Sequence, residues 1–237
     1  ESVRAGFERE GRNLAYYSTA AGDPELRKLV AEKLTRERNM SVTADDMVLT
    51  SGSGEAIGIL IQALTDPGDV VLVEEFVYLG TLNQMRRYGA DVVAVKCDDD
   101  GIIPEDLDSV ITEQLGNGKK VKYLYTIPSF QNPLGWTMGL ERRKQVLEVT
   151  GKHGIPIFED DCYADLRFEG EDVTSFHSLD DTGRVIYAGS FSKIIAPGMR
   201  LGYITAAPEI LDRVMGIKSG GGVNQFTALA VHRYSTE

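Results

Sequence analysis

Cysteine and histidine are scarce in this chain. Two cysteines, Cys97 and Cys162, and three histidines, His153, His177 and His232, are spread over 237 residues. Two distant cysteines make no disulfide framework, and without a Cys-x-x-Cys pair or spaced histidines there is no metal-ligand pattern. The expectation is a reducing, cytoplasmic compartment and no metal. Basic charge is in deficit, with 25 Lys and Arg against 36 Asp and Glu and a net charge of −11. Clustered Lys and Arg drive phosphate-backbone and anionic-lipid binding, so neither nucleic acid nor a membrane is expected as a partner. No apolar run reaches the ~20 residues of a bilayer span, and no signal peptide opens the chain. Internal repeats and low-complexity linkers are also missing.

What is present reads as a globular domain. Hydrophobic residues make up 42% and charged residues 26%, and the length can bury a sizeable core. Apolar runs alternate with helical patterns. Strands are expected at 47–50, 70–74, 91–96, 122–127, 155–160, 185–188 and 202–206. Helices are expected at 23–36, 55–64, 80–88, 104–115 and 140–153, with a last helix after a flexible turn at Gly220-Gly221-Gly222. Asp23 followed by Pro24 is a helix start, and Gly89 a helix end. Strands separated by helices predict a three-layer α/β/α domain with a mostly parallel sheet, whose ligands sit at the carboxyl ends of the strands. The start at Glu1 rather than Met, and the helical pattern that runs to the end, predict a longer natural protein.

The chemistry-bearing residues fall just after those strands. Lys193 stands in Ser190-Phe191-Ser192-Lys193-Ile194-Ile195-Ala196-Pro197-Gly198-Met199-Arg200. A lysine among hydroxyls and apolar residues is expected to be partly desolvated, which lowers its pKa and makes it an amine nucleophile toward an aldehyde. The neighbouring serines and Arg200 can hold a phosphate. An aldehyde and a phosphate on one small molecule point to pyridoxal phosphate. Ser51-Gly52-Ser53-Gly54 precedes a helix and can face an anion, although by itself it reads equally as a cap and turn. It is neither a dinucleotide fingerprint nor a P-loop. Asn132-Pro133-Leu134-Gly135 is a turn whose asparagine can donate to a phenolate oxygen. Glu159-Asp160-Asp161 ends a strand with three carboxylates, a pattern that calls for a cation, solvent or a pyridinium nitrogen. Tyr163 can reach the same ring, and Tyr78 can stack on it or pack in the core.

In that order and spacing, TSGSGEAI, EEFVYLGTL, YTIPSFQNPLGWTM, FEDDCYADLRF and SFSKIIAPGMRLGY resemble the class I/II pyridoxal phosphate-dependent aminotransferases of fold type I. The nearest branch is the one holding 2-aminoadipate, kynurenine, aromatic and branched-chain aminotransferases. The resemblance runs from about Tyr16 onward. It implies that Lys193 carries the cofactor and shuttles the substrate α-proton, and that Asp160 pairs with the pyridine nitrogen. It assigns Asn132 and Tyr163 to the ring oxygen, and Ser53, Gly54, Ser190, Ser192 and Arg200 to the phosphate. It further implies that Tyr78 stacks on the ring and that Tyr17 reaches a neighbouring subunit's phosphate in a homodimer. Amino acids and 2-oxo acids are the implied substrates. Gly54 stands where relatives often have glutamine, and Leu134 where threonine is common. The resemblance implies that residues 1–237 are the large cofactor-binding domain. The family's C-terminal small domain, with its substrate-carboxylate arginine, is expected either in an unseen continuation or not at all, which would leave a cofactor-binding core without a full substrate pocket. Two other functions share these motifs: a lyase or decarboxylase using the same cofactor, and the effector domain of a transcription regulator.

Overall fold

The computed structural model describes residues 2–219 and 221–236. Helices α1 (Ser2–Glu10) and α2 (Pro24–Arg38) precede β1 (Met47–Thr50), and α3 (Ser53–Leu64) leads to β2 (Val70–Glu74). Next come α4 (Leu79–Arg87), β3 (Asp91–Val95), the hairpin β4 (Cys97–Asp98) and β5 (Gly101–Ile102), α5 (Pro104–Gly116) and β6 (Val121–Thr126). The chain continues through α6 (Leu140–His153), β7 (Ile157–Asp160), α7 (Phe176–Leu179), β8 (Val185–Ser190), β9 (Gly202–Thr205), α8 (Pro208–Ile217) and α9 (Gln225–Ser235).

Local chemistry sets these bounds. The Asp23 carboxylate accepts from Leu26 N, Pro24 opens α2, and Asn39 closes it in the left-handed region at φ 53°. Leu26, Val30, Ala31 and Leu34 form its buried stripe. The strands read as unbroken apolar runs because helices cover both faces.

Seven strands form one sheet in the order β1-β9-β8-β7-β6-β2-β3. Strand β9 is antiparallel to β1 and β8, and the remaining pairs are parallel. One face packs on α3, α4 and α8 through Ala56, Leu60, Met85, Tyr125, Phe158 and Val214. The other face packs on α5 and α6 through Leu107, Ile111 and Val146, and on α2 and α9 through Leu26, Val30 and Val231. The expected three-layer α/β/α fold with a mostly parallel sheet is therefore present.

Register brings three distant segments to one point. Thr50 pairs with Gly202, and Gly202 pairs with Ser190. The ends of β1 and β8 and the start of β9 thus lie side by side. A Cβ on Gly202 would stand 2.9 Å from both Gly52 C and Ser53 N, so only glycine lets the loop after β1 approach this closely.

Differences from the sequence reading lie at the ends and in short elements. Ser53 and Gly54, expected in a loop, open α3, and β8 runs two residues further, to Ser190. Helices α1, α7 and α8 and the β4–β5 hairpin were not expected. Gly221 and Gly222 have positive φ, as a turn requires. Gly220 lies outside the described residues.

Candidate functional site

The loops after β1, β2, β6, β7 and β8, and the loop before β9, leave the sheet at one edge. Asp160, the last residue of β7, is 3% exposed. Its Oδ2 accepts from the Tyr125 hydroxyl at 2.7 Å, and that hydroxyl lies 3.1 Å from Thr81 Oγ1. Its Oδ1 is buried without a partner among the described residues. Burial pushes the Asp160 carboxyl up to about 6, against the Tyr125 hydrogen bond, which favours the ionised form. A buried, unpaired carboxylate oxygen is suited to a charged N–H donor.

The three consecutive carboxylates do not share one compartment. Side chains alternate along a strand, so Glu159 points the other way and accepts from Phe176 N and His177 N at 3.0 Å each. Arg143 Nη1 stands 3.7 Å from it. Burial pushes Glu159 up to about 7. Asp161 accepts from the Tyr187 hydroxyl at 3.1 Å. All three are buried, which overturns solvent exposure as the reason for the cluster. Among the described residues no group of three or more His, Cys, Asp and Glu is arranged for a metal ion.

Asn132 Nδ2 donates to the Tyr163 hydroxyl at 3.1 Å, and Lys193 Nζ stands 5.6 Å from the centroid of the Tyr163 ring. Residues after β6, β7 and β8 therefore converge. Burial and the neighbouring Cys162 raise the Tyr163 phenol above its usual range, while the Asn132 bond opposes them. Lys193 itself is exposed, which corrects the expectation of a desolvated amine. The apolar neighbours Phe191, Ile194 and Ile195 pack toward α2 and the Tyr187–Tyr203 cluster, and so they do not enclose the ammonium.

Arg200, in the left-handed region at φ 49°, donates through Nη2 to Ser51 O at 3.0 Å. Gly52 has φ 83°, and a Cβ there would lie 2.5 Å from Arg200 Nη2. The guanidinium thus lies directly against the loop that starts α3. The N–H groups of Ser53 and Gly54, in the first turn of α3, have no carbonyl one turn back within the helix. Together with Arg200 they form a cradle for an anion. Ser190 and Ser192 are buried nearby, with Ser192 N donating to Ser190 Oγ at 3.2 Å. Tyr78 is 46% exposed and caps α4, its ring over Gly80. Tyr17 is 92% exposed. It lies beside Gly221 rather than with the other candidates.

Sequence reasoning missed the groups that hold these residues in place. Glu74, fully buried, accepts from Thr126 Oγ1 at 2.5 Å, Ile127 N at 3.0 Å and Gln131 Nε2 at 2.7 Å. Gln131 Oε1 accepts from Leu134 N at 2.8 Å, so the pair pins the turn that presents Asn132. Burial pushes Glu74 up to about 7. Fully buried Arg143 donates to the carbonyls of Met138, Pro128 and Thr174 and to Ser129 Oγ. The only signal in the sequence was a charged residue inside an otherwise apolar stripe.

The comparisons with known proteins agree with this geometry. The family described as aminotransferase class I and II matches residues 1–234. Aromatic-amino-acid aminotransferase 1 of Thermococcus litoralis is 37% identical over 214 residues, covering 90% of this chain and 51% of the relative. An uncharacterized HTH-type transcriptional regulator of Escherichia coli, YjiR, is 36% identical over 203 residues, covering 85% of this chain and 42% of its own length. The chain thus spans about half the length of the curated relatives it matches. The crystal structure of Pyrococcus horikoshii kynurenine aminotransferase, in complex with PMP, superposes with a TM-score of 0.92 at 33% identity, covering 99% of this chain and 59% of that one. The family depends on pyridoxal phosphate. On the match over nearly its whole length, this chain belongs to the class I and II aminotransferases.

Proposed function

We propose that residues 1–237 form the pyridoxal phosphate-binding domain of an aminotransferase that moves an amino group between an amino acid and a 2-oxo acid. One observation carries the reading: Lys193 Nζ stands over the Tyr163 ring, 5.6 Å from its centroid, and the Tyr163 hydroxyl is held by Asn132. That places an amine, a phenol and an amide around one space, with the free oxygen of Asp160 on an adjacent strand. When bound, pyridoxal phosphate supplies an electron sink for the substrate α-carbon.

The residues divide the remaining work. Asp160 would accept from the ring N–H and keep it protonated. Asn132 and Tyr163 would donate to the ring oxygen. Arg200, the Ser53 and Ser190 hydroxyls, Ser192 and the Gly54 N–H would hold the phosphate. Tyr78 would cover the ring. Lys193 would carry the cofactor, and its freed amine would take the substrate α-proton and return it. The exposed Tyr17 supports a homodimer in which it serves the partner's phosphate. Among the described residues no helix is long and apolar enough to cross a membrane. The acidic balance favours small-molecule partners over nucleic acid, and the two free cysteines suit a reducing, cytoplasmic compartment.

Purified protein is incubated with pyridoxal phosphate, a panel of amino acids and 2-oxoglutarate. Glutamate formation matched by the cognate oxo acid is expected. Oxo acid without glutamate would favour a lyase. The identity to YjiR supports a second reading, an effector-sensing domain, for which cofactor binding without turnover is the expected result.

A further inference from the structure

A network of ion pairs links the end of α2 to the segment after Tyr163 and, through Phe130, to the segment before Asn132. Its hub is Arg38, the last residue of α2, whose side chain is 7% exposed. Arg38 Nη2 donates to Asp165 Oδ1 at 2.7 Å, and Lys33 Nζ, earlier on α2, donates to Asp165 Oδ2 at 2.7 Å. Asp165 belongs to the short helical turn Ala164–Leu166, which begins directly after Tyr163. Arg38 Nη1 also lies 3.3 Å from Asp172 Oδ2, and Asp172 Oδ1 accepts from Arg167 Nε at 2.9 Å. Arg167 lies over the Phe130 ring, 4.7 Å from its centroid.

Phe130 is two residues before Asn132 and has φ 52°. A bulky residue adopts that conformation only when its surroundings impose it. Thr137 Oγ1 accepts its N–H at 3.1 Å on one side, and the Arg167 guanidinium covers its ring on the other. One arm of the network therefore ends beside Tyr163 and the other beside Asn132. These are the two residues joined by the 3.1 Å hydrogen bond.

We propose that Arg38 is a positioning residue that holds Asn132 and Tyr163 in register with each other through Asp165 on one arm and Asp172, Arg167 and Phe130 on the other. Its link to catalysis rests on the aminotransferase reading. Its link to the Asn132–Tyr163 contact does not. Lysine at position 38 keeps the charge but cannot bridge two carboxylates with separate nitrogens.

The test uses Arg38→Met, Arg38→Lys and Asp172→Asn in the full protein. The first readout is a carbon-13 NMR titration of the Tyr163 phenol without cofactor, assigned with Tyr163→Phe. Lys193, Asn132, Cys162 and Asp160 face that phenol, and none is altered. The Asn132 bond favours the phenolate, so Arg38→Met should move the titration upward, Asp172→Asn should move it less, and Arg38→Lys should restore part of the wild-type value. Pyridoxal phosphate should bind about tenfold more weakly to Arg38→Met, the scale of coupling carried by a connected network. A wild-type Tyr163 titration in the variants, even with a lower urea midpoint, overturns the proposal. Should Arg38→Met fail to fold, Asp172→Asn decides alone, since Asp172 is half exposed. Wild-type protein that binds no pyridoxal phosphate would remove the functional reading, while the Tyr163 titration would still judge the network.

Discussion

Tyr125→Phe deletes a single hydroxyl from the interior, and its effect on Asp160 can be worked out in advance. In the wild type that hydroxyl donates to Asp160 Oδ2 at 2.7 Å. Both residues are buried, so water does not replace it. A hydrogen bond to a charged group is worth about 1.5–3 kcal/mol, and about 1.4 kcal/mol corresponds to one pH unit. Burial already holds the carboxyl at about 6, and the Tyr125 bond favours the carboxylate. Its loss should therefore raise the midpoint by about one to two pH units. At pH 7 Asp160 would change from mostly ionised to half or more neutral. A neutral acid no longer offsets a protonated ring nitrogen, so pyridoxal phosphate affinity at pH 7 should fall and recover as pH rises. The assay is a carbon-13 NMR titration of the aspartate carboxyls in cofactor-free protein, assigned with Asp160→Asn. An Asp160 midpoint identical in wild type and variant would refute the reasoning.

Other consequences follow from the same contacts. Gly52→Ala puts a Cβ where Arg200 Nη2 now lies and strains a φ of 83°; pyridoxal phosphate should bind at least about tenfold more weakly, the value of one charge-assisted contact, while pyridoxal without phosphate should bind as before. Arg143→Met leaves Glu159 buried without its cation and removes the four hydrogen bonds that Arg143 donates, so urea denaturation should show a loss of about 3–5 kcal/mol. Burial raises Glu74 from 4.5 to about 7, so the folded state holds that proton more tightly than the unfolded chain does. Its contribution to stability is complete below the unfolded value and is lost as pH rises through 7, up to about 3 kcal/mol. Cofactor-free wild type should lose stability between pH 5 and pH 8 relative to Glu74→Gln, and parallel curves for the two proteins would contradict this.

Much of the fold was legible because covered parallel strands leave continuous apolar runs, such as Val70–Val73, and because Asp23-Pro24 and Gly89 punctuate helices through local backbone chemistry. The strand-end residues were legible for a related reason: the architecture fixes the edge at which ligands bind, and Asn132, Asp160, Tyr163 and Lys193 all lie there. The supports were not legible. Tyr125 reads as a core residue until the parallel pairing of β6 with β7 places it beside Asp160. Arg38 and Asp165 are 127 residues apart in sequence, and nothing local links them. The exposure of Lys193 was misread because Ile194 and Ile195 spend their apolar surface on α2, which only the tertiary packing shows.

The proposed function requires that Lys193 and Asp160 flank the ring of bound pyridoxal phosphate. The most direct measurement is borohydride reduction of protein saturated with pyridoxal phosphate, followed by peptide mass mapping. The phosphopyridoxyl group should be found on the Lys193 side chain, and the Asp160→Asn variant should give less of it at equal cofactor concentration. Modification of another lysine, or none in wild-type protein at saturation, would contradict the claim.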